Sequence, residues 1–255
     1  MRAVVLAGGK GTRLRPYTTL IPKPLVPLGG KYTILEVIIL QLSKAGFTHI
    51  TLAVNHLSQL IMAYFGNGTQ YGVKLDYSFE EVELSTIGPL TLISDLPENF
   101  LVMNGDILTD LDYKKFFELH VKTHSKVSVA VHRRQVKIDF GVLKYNQQYQ
   151  LSAFEEKPSF DFDVSMGIYC IHRSVVDSLP KGQPYGFDHL MLDGLSKNQP
   201  ANIQPFSGYW LDIGRPSDYE YANEHFTELA VKLGLGQPEV HHFNKVGTEC
   251  LQENV

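Results

Sequence analysis

The segment Leu6-Ala7-Gly8-Gly9-Lys10-Gly11-Thr12-Arg13-Leu14 has the composition of an anion cradle. Its glycines let the backbone bend tightly and bring N–H groups close to negative charge. Arg13 and Arg15 add cations that do not titrate near neutral pH. Lys23 follows within Pro22-Lys23-Pro24-Leu25-Val26-Pro27. The prolines predict a stiff, extended segment that holds one ammonium in place. A fixed Lys beside a glycine-rich turn suits a polyphosphate, whereas an isolated Lys-Pro would read as a basic surface turn. Two familiar loops do not fit. A P-loop needs Gly-x-x-x-x-Gly-Lys-Ser/Thr, which is absent. A dinucleotide fingerprint needs a third glycine and a helix, but Gly9-x-Gly11 runs into Arg13-Leu14 and then Pro16.

Two aspartates could serve such a ligand. Asp106 ends Met103-Asn104-Gly105-Asp106, and Asp212 lies in Tyr209-Trp210-Leu211-Asp212-Ile213-Gly214. An Asp beside Gly is a common turn signal. A pair of them could also hold Mg²⁺, which takes one or two carboxylates and completes its shell with phosphate oxygens and water. Their separation in sequence leaves both readings open. No Ser–His–Asp set stands out, and the ten histidines show no metal spacing. His241-His242 reads as surface.

The run from residue 5 to residue 28 resembles the opening motif of the nucleotide-sugar pyrophosphorylases, G-G-x-G-T-R-L followed by P-K-P. The likeness continues to about Asn223. It implies a Rossmann-like core with nucleotide phosphates over Leu6, Ala7, Gly8, Gly9, Gly11 and Thr12. It also implies that Arg13 and Lys23 stabilise charge on a triphosphate, with Asp106 and Asp212 as magnesium ligands and Asp106 catalytic. Glu83-Leu84-Ser85-Thr86-Ile87-Gly88-Pro89-Leu90 resembles the family's base-reading segment, which implies that Glu83 and the backbone near Gly88 face the base; the same likeness assigns Asn104 to the nucleotide. The sequence departs from the family at Ser85, where Gly is common. Phe140-Gly141-Val142, Glu155-Glu156-Lys157-Pro158 and Ser165-Met166-Gly167 resemble the sugar-phosphate half. By that likeness Gly141 and Gly167 leave room for the sugar, Glu156 accepts from hydroxyls, and Lys157 binds the phosphate beside Ser165. The family commonly has Asn-Ala-Gly where Ser165-Met166-Gly167 stands.

The resemblance therefore implies a Mg²⁺-dependent nucleotidyltransferase that joins a nucleoside triphosphate to a sugar 1-phosphate and releases pyrophosphate. The residues look most like the guanylyltransferases for mannose 1-phosphate or heptose 1-phosphate. Thymidylyl-, uridylyl- and cytidylyltransferases share most of them. A catalytically silent sensor of nucleotide sugars and a nicotinamide-dependent oxidoreductase are the alternatives of other classes. Family members are often dimers or tetramers, so a homo-oligomer is an expectation of the same kind.

Positioning these residues requires a particular set of elements. An apolar run over residues 3–7 stops at glycines and reads as a buried strand. His49 to Val54, Lys74 to Phe79 and Asn99 to Met103 read as further strands. Thr33 and Glu36 form a capping box for a helix closed by Gly46, and Ser58 to Phe65 reads as a short amphipathic helix. Strands alternating with helices predict an α/β fold with a mostly parallel sheet covered on both faces. Lys126–His132, Phe140–Tyr145, Gln150–Glu155 and Ser165–Ile171 read as strands of a smaller antiparallel addition. A last helix is expected from Pro216 to Gly234. Residues 1–235 are expected to be the transferase domain and 236–255 a tail.

The bulk composition agrees. Of 255 residues, 44% are hydrophobic and 20% charged, and the formal net charge is -4. This is a globular composition and argues against a general nucleic-acid binder, which would need a basic face. The two cysteines, Cys170 and Cys250, form no disulfide framework or metal spacing. With no leader-like apolar run and no membrane-length segment, a cytoplasmic protein is expected.

Overall fold

The computed structural model describes residues 1–55 and 57–236. The chain starts with β1 (Arg2–Leu6), followed by a small hairpin of β2 (Pro27–Leu28) and β3 (Tyr32–Thr33). Helix α1 (Ile34–Lys44) opens on the expected capping box, with the Thr33 side chain accepting from the Glu36 N–H and Glu36 returning the bond. Then come β4 (His49–Val54), α2 (Ser58–Phe65), β5 (Lys74–Phe79), β6 (Asn99–Asn104) and the short β7 (Ile107–Thr109). Helix α3 (Tyr113–Lys122) precedes four strands: β8 (Val127–Lys137), β9 (Val142–Tyr145), β10 (Leu151–Glu155) and β11 (Ser159–His172). The remainder is α4 (Arg173–Asp177), α5 (Phe187–Ser196), β12 (Asn202–Phe206), β13 (Trp210–Asp212), α6 (Pro216–Glu224) and α7 (Phe226–Lys232).

The main sheet has seven strands in the order β12-β8-β11-β6-β1-β4-β5. Only β11 runs against its neighbours; the other adjacent pairs are parallel. The mostly parallel α/β expectation therefore holds. Side chains alternate across the strands. Ala3, Val5, Leu101 and Met103 point into one core, under α1, α2 and α3. Val4, Phe100 and Val102 point into the other, under α4 and α5. A third cluster joins Leu14, Leu28 and Val37 to Ile213, Tyr219, Phe226 and Leu229, so α6 and α7 close over the segment after the glycine loop.

Several expectations change. The segment around Lys23 is not extended: Lys23–Leu25 is a 3₁₀ turn. Proline tolerates such a first turn because its missing N–H would be unpaired there anyway. The helix expected from Pro216 to Gly234 is two helices broken at His225. The turn lets Tyr219 and Ala222 on α6 and Phe226 and Leu229 on α7 reach the same core. The strand expected over Ser165–Ile171 is the inner half of the longer β11, and β9 starts at Val142 rather than Phe140. Helices α3 and α5 and strand β12 were not anticipated. The expected tail over 236–255 lies outside the described residues except for Gly236, as do His241-His242 and Cys250. No helix among the described residues is long and apolar enough to cross a membrane.

Candidate active site

The sheet's edge at the carboxyl ends of β1, β4, β5 and β6 opens onto a cavity of about 500 Å³. Crevices at this end of an open α/β sheet are the usual ligand position. The floor comes from β1. The Ala7 N–H donates to the Ala53 carbonyl at 2.8 Å, and the Gly105 N–H to the Leu6 carbonyl at 2.9 Å. Leu6, Ala7, Gly8, Gly9, Lys23, Glu83, Asn104 and Asp106 all line the space.

The glycines have distinct tasks. A Cβ on Gly8 would stand 3.2 Å from Glu80 Oε2 and 3.3 Å from Asn55 Cβ, so glycine lets this loop approach the ends of β4 and β5. Gly9 has open space on that side. Gly11 is left-handed at φ 61°, and a Cβ there would meet Lys23 Cβ and Thr18 Cγ2, each at 3.1 Å. The glycine loop and the lysine turn are therefore packed side by side. Gly11 and Thr12 sit behind the cavity wall; Thr12 opens the 3₁₀ turn Thr12–Leu14 that carries Arg13.

Lys23 reaches across this junction and pairs its Nζ with Asp106 Oδ2. Both side chains are largely buried, 11% and 23% exposed. Asp106 Oδ1 is buried and has no hydrogen-bond partner among the described residues. Asp212 arrives from another direction, at the end of β13. Its position is set by pairing with β7: Asp212 is registered with Ile107, and the Ile213 N–H donates to the Asp106 carbonyl at 3.0 Å. Residues 106 and 212 are thus neighbours across a two-stranded ribbon. Asp212 retains exposed surface, yet its carboxyl is raised above the usual range. Partial burial is the larger cause and the Asp106 charge the next, with Lys23 and Arg13 opposing. Arg13 Nη1 and Asp212 Oδ2 each lie 3.8 Å from where a Cβ on Gly214 would stand. Two carboxylates and two cations therefore share one corner beside the cavity.

The opposite wall is acidic. Glu80, Glu81 and Glu83 line it with Ser85, Thr86 and Pro89. The Glu80 carboxylate accepts the Leu84 N–H, which folds the segment back on itself. Lys10 bridges the mouth, 3.7 Å from Glu83. Ser85 holds a left-handed backbone at φ 66°, a conformation that costs a side-chain-bearing residue about 1 kcal/mol or more. Gly88 does not reach the cavity. It is buried, its N–H donates to the Tyr185 carbonyl at 2.9 Å, and a Cβ would stand 2.8 Å from the Gln183 carbonyl. Its glycine serves packing beneath the wall.

The residues expected on the sugar side fall into two groups. Ser165 and Gly167 lie at an irregularity in the pairing of β11 with β8. Gly167 takes φ 73° and passes so close to Asn104 that a Cβ would stand 2.6 Å from its Nδ2. The Ser165 hydroxyl accepts the Gly167 N–H at 3.3 Å. These two sit beside the cavity without lining it. Gly141, Glu156 and Lys157 are farther out, on the β8–β11 side, and Glu156 and Lys157 are exposed. Gly141 and Glu156 do come together, with 3.2 Å from Glu156 Oε2 to the position of a Gly141 Cβ. Lys157 has a left-handed backbone at φ 45°. Sequence reasoning missed Lys10, Asn55, Glu80 and Thr86. The signal for Glu80 was its place just after β5, at the same sheet edge as Leu6 and Asn104.

Among the described residues no cluster of three or more His, Cys, Asp or Glu side chains could hold a metal. The Asp106–Asp212 pair offers two carboxylates, one with an unpartnered buried oxygen. That donor set fits Mg²⁺ shared with a polyphosphate and not a metal held by protein ligands alone.

Comparison with known proteins adds the following. A family model described as Nucleotidyl transferase matches residues 2–228. The chain is 31% identical over 226 residues to a mannose-1-phosphate guanylyltransferase catalytic subunit beta of Dictyostelium discoideum, covering 86% of this chain and 62% of the relative. It is 31% identical to a UTP–glucose-1-phosphate uridylyltransferase of Synechocystis, covering 86% and 61%. The chain thus spans about three fifths of the length of these curated relatives. Among solved structures it is similar to HddC from Yersinia pseudotuberculosis complexed with GMP-PN. The TM-score is 0.67 at 27% identity, over 88% of this chain and 99% of that one.

Proposed function

The chain belongs to the nucleotidyl transferase family, and from that premise we propose that it transfers a nucleoside monophosphate from a nucleoside triphosphate to a sugar 1-phosphate. The observation that carries the proposal is the Lys23–Asp106 pair, set between the glycine loop and Asp212 at one end of the cavity. In the reaction a phosphate oxygen of the sugar 1-phosphate attacks the α-phosphorus in line, the bond to the β-phosphate oxygen breaks, and pyrophosphate leaves. The attacking oxygen is already anionic, so no general base is required, and catalysis rests on alignment and charge neutralisation.

Backbone N–H groups of the loop over Gly8 to Gly11 would hold the triphosphate, and Lys23 and Arg13 would offset its charge. Asp106 and Asp212 would hold Mg²⁺, which when bound neutralises phosphate oxygens and orients them. The elevated carboxyl of Asp212 and the orphaned oxygen of Asp106 support this, since a divalent cation would relieve both. Asn104, Ser165 and Gly167 would border the acceptor, with Gly141, Glu156 and Lys157 closing on its sugar phosphate.

We assign GTP and mannose 1-phosphate as the substrates. Guanine presents two adjacent donors, N1–H and the 2-amino group, to an acceptor wall, and this wall carries three glutamates. The guanylyltransferase relatives and the GMP-PN-bound HddC point the same way. Residues 1–235 would be the transferase unit, acting in the cytoplasm. The test is pyrophosphate release with each of the common triphosphates against a panel of sugar 1-phosphates, with and without magnesium. GTP with mannose 1-phosphate should give the highest kcat/KM. Turnover with another pair would overturn the substrate assignment, and no turnover with any would overturn the activity.

A further inference from the structure

The ribbon that joins Asp106 to Asp212 is very short. β7 and β13 pair only Ile107 with Asp212, Leu108 with Leu211 and Thr109 with Trp210. A two-stranded ribbon of this length has little stability of its own. Its register still has to be held, because a slip of one residue turns every side chain of a strand to the other face. Asp212 would then point away from Asp106.

At the end that bears the aspartates, the Ile213 N–H donates to the Asp106 carbonyl at 3.0 Å. At the other end the next pair in register is Asp110 with Tyr209, and there side chains take over from the ladder. In a regular antiparallel pair of this kind the two residues exchange both backbone bonds. The Asp110 N–H does donate to the Tyr209 carbonyl, at 3.3 Å, but the Tyr209 N–H donates to Asp110 Oδ1, at 2.7 Å. The Thr109 hydroxyl donates to the same Tyr209 carbonyl at 2.7 Å and accepts the Leu111 N–H at 3.2 Å. Thr109 is fully buried, and its own carbonyl accepts from Gln41 Nε2 on α1 at 2.8 Å.

These bonds select one register. A displaced β13 would take Tyr209 away from both side chains and leave the buried Thr109 hydroxyl without its acceptor, the costly way to lose a hydrogen bond. It would also move Gly208, where a Cβ would stand 2.5 Å from Asp110 Oδ1, and press a residue with a side chain against that carboxylate. We infer that Thr109 and Asp110 are positioning residues, whose side chains clamp Tyr209 and so fix the register that brings Asp212 beside Asp106. The effect on magnesium rests on the proposed reaction; the clamp itself does not.

Thr109→Val keeps the shape and removes the hydroxyl, and Asp110→Ala removes the carboxylate. Amide exchange of the metal-free chain reads the register directly. In the double variant the Ile213 amide should exchange about tenfold faster, as expected for loss of its support, while amides of β1 and β6 keep their rates. Steady-state turnover reads the consequence. The Mg²⁺ concentration for half-maximal rate should rise about tenfold or more, the usual effect of losing a group that orients metal ligands. The KM for the triphosphate at saturating magnesium should stay within about twofold. Thr109→Ser and Asp110→Asn keep the donor and the acceptor and should match the unmodified chain in both readouts. Ser128→Ala, which removes another fully buried hydroxyl, on β8, should lower the Tm without moving the magnesium constant. The single substitutions carry the same readouts if the double variant does not fold. An Ile213 amide indifferent to the substitutions would overturn the clamp, and so would a magnesium constant that does not move in a chain that turns over. Absence of turnover in the unmodified chain would overturn the proposed reaction instead, and the Ile213 exchange would still decide the clamp.

Discussion

The chemistry of the corner beside the cavity depends on single atoms. Asp106 uses one carboxylate oxygen for Lys23 and has the other buried without a partner. Asp106→Asn keeps the shape but removes the charge that pairs with Lys23 and that, on the proposed reading, would hold a divalent cation. Turnover should fall by about a hundredfold or more, the scale seen when one charge-stabilising group is lost, while the far-UV circular dichroism stays unchanged. Near-normal turnover in magnesium would remove Asp106 from the reaction. Asp212 sits under a different constraint, because partial burial and then the Asp106 charge beside it make its ionised form costly. On the proposed reading, a cation that both share would relieve this cost.

At the scale of elements, α3 is tied to the sheet by a buried histidine. His120 is fully buried, with Nδ1 2.9 Å from Ser128 Oγ and Nε2 3.1 Å from Asn99 Oδ1. Burial, and then the charge of His172, lower its pKa to about 4. The unfolded chain would bind a proton here from about pH 6.5 downward, so the native state loses stability as pH falls from about 6.5 to 4. The loss should be on the order of 2–3 kcal/mol. Urea unfolding across this range should show that slope, and His120→Gln should flatten it; an unchanged slope would place its origin elsewhere. The strands from β8 to β11 make a second prediction. If the break in their pairing at 138–141 and 156–158 closes on the acceptor, Lys157→Ala should raise the KM for sugar phosphate about tenfold and leave that for nucleotide within about twofold. Equal effects on both would contradict that placement.

For the whole molecule, the cavity couples segments that are distant in the chain: the β1 loop, the lysine turn, the wall after β5 and the end of β6, with the β7–β13 ribbon beside it. A ligand bound among them stabilises all of them together. GTP with magnesium at a hundred times its Kd should stabilise the fold by about 2.7 kcal/mol, read as a rise in Tm. Chelation with EDTA should remove most of that rise, and Asp106→Asn should abolish the magnesium-dependent part. A rise indifferent to chelation would argue against the paired carboxylates as the metal site.

The local elements were legible where one signal dominates. A continuous apolar run stopped by glycines marked β1, a continuous apolar run marked β6 and alternation marked β5, and Thr33 with Glu36 marked the start of α1. These features need only near neighbours. The glycine loop, Lys23, Asp106 and Asp212 could likewise be picked out by residue type and motif. What the sequence could not hold was their convergence. Residues 106 and 212 meet because β7 and β13 pair across about a hundred intervening positions, a contact with no local signature. Gly88 shows the same limit: a glycine that packs against Gln183–Tyr185 looks identical to one needed for a ligand until that loop is in place. Glu80 was overlooked because its importance comes from the parallel register of β5 beside β4, which delivers it to Gly8. Helices α3 and α5 escaped because packing rather than propensity stabilises a short helix. Residue types and spacing determined what chemistry the chain could carry, and long-range strand pairing decided which of those residues share a cavity.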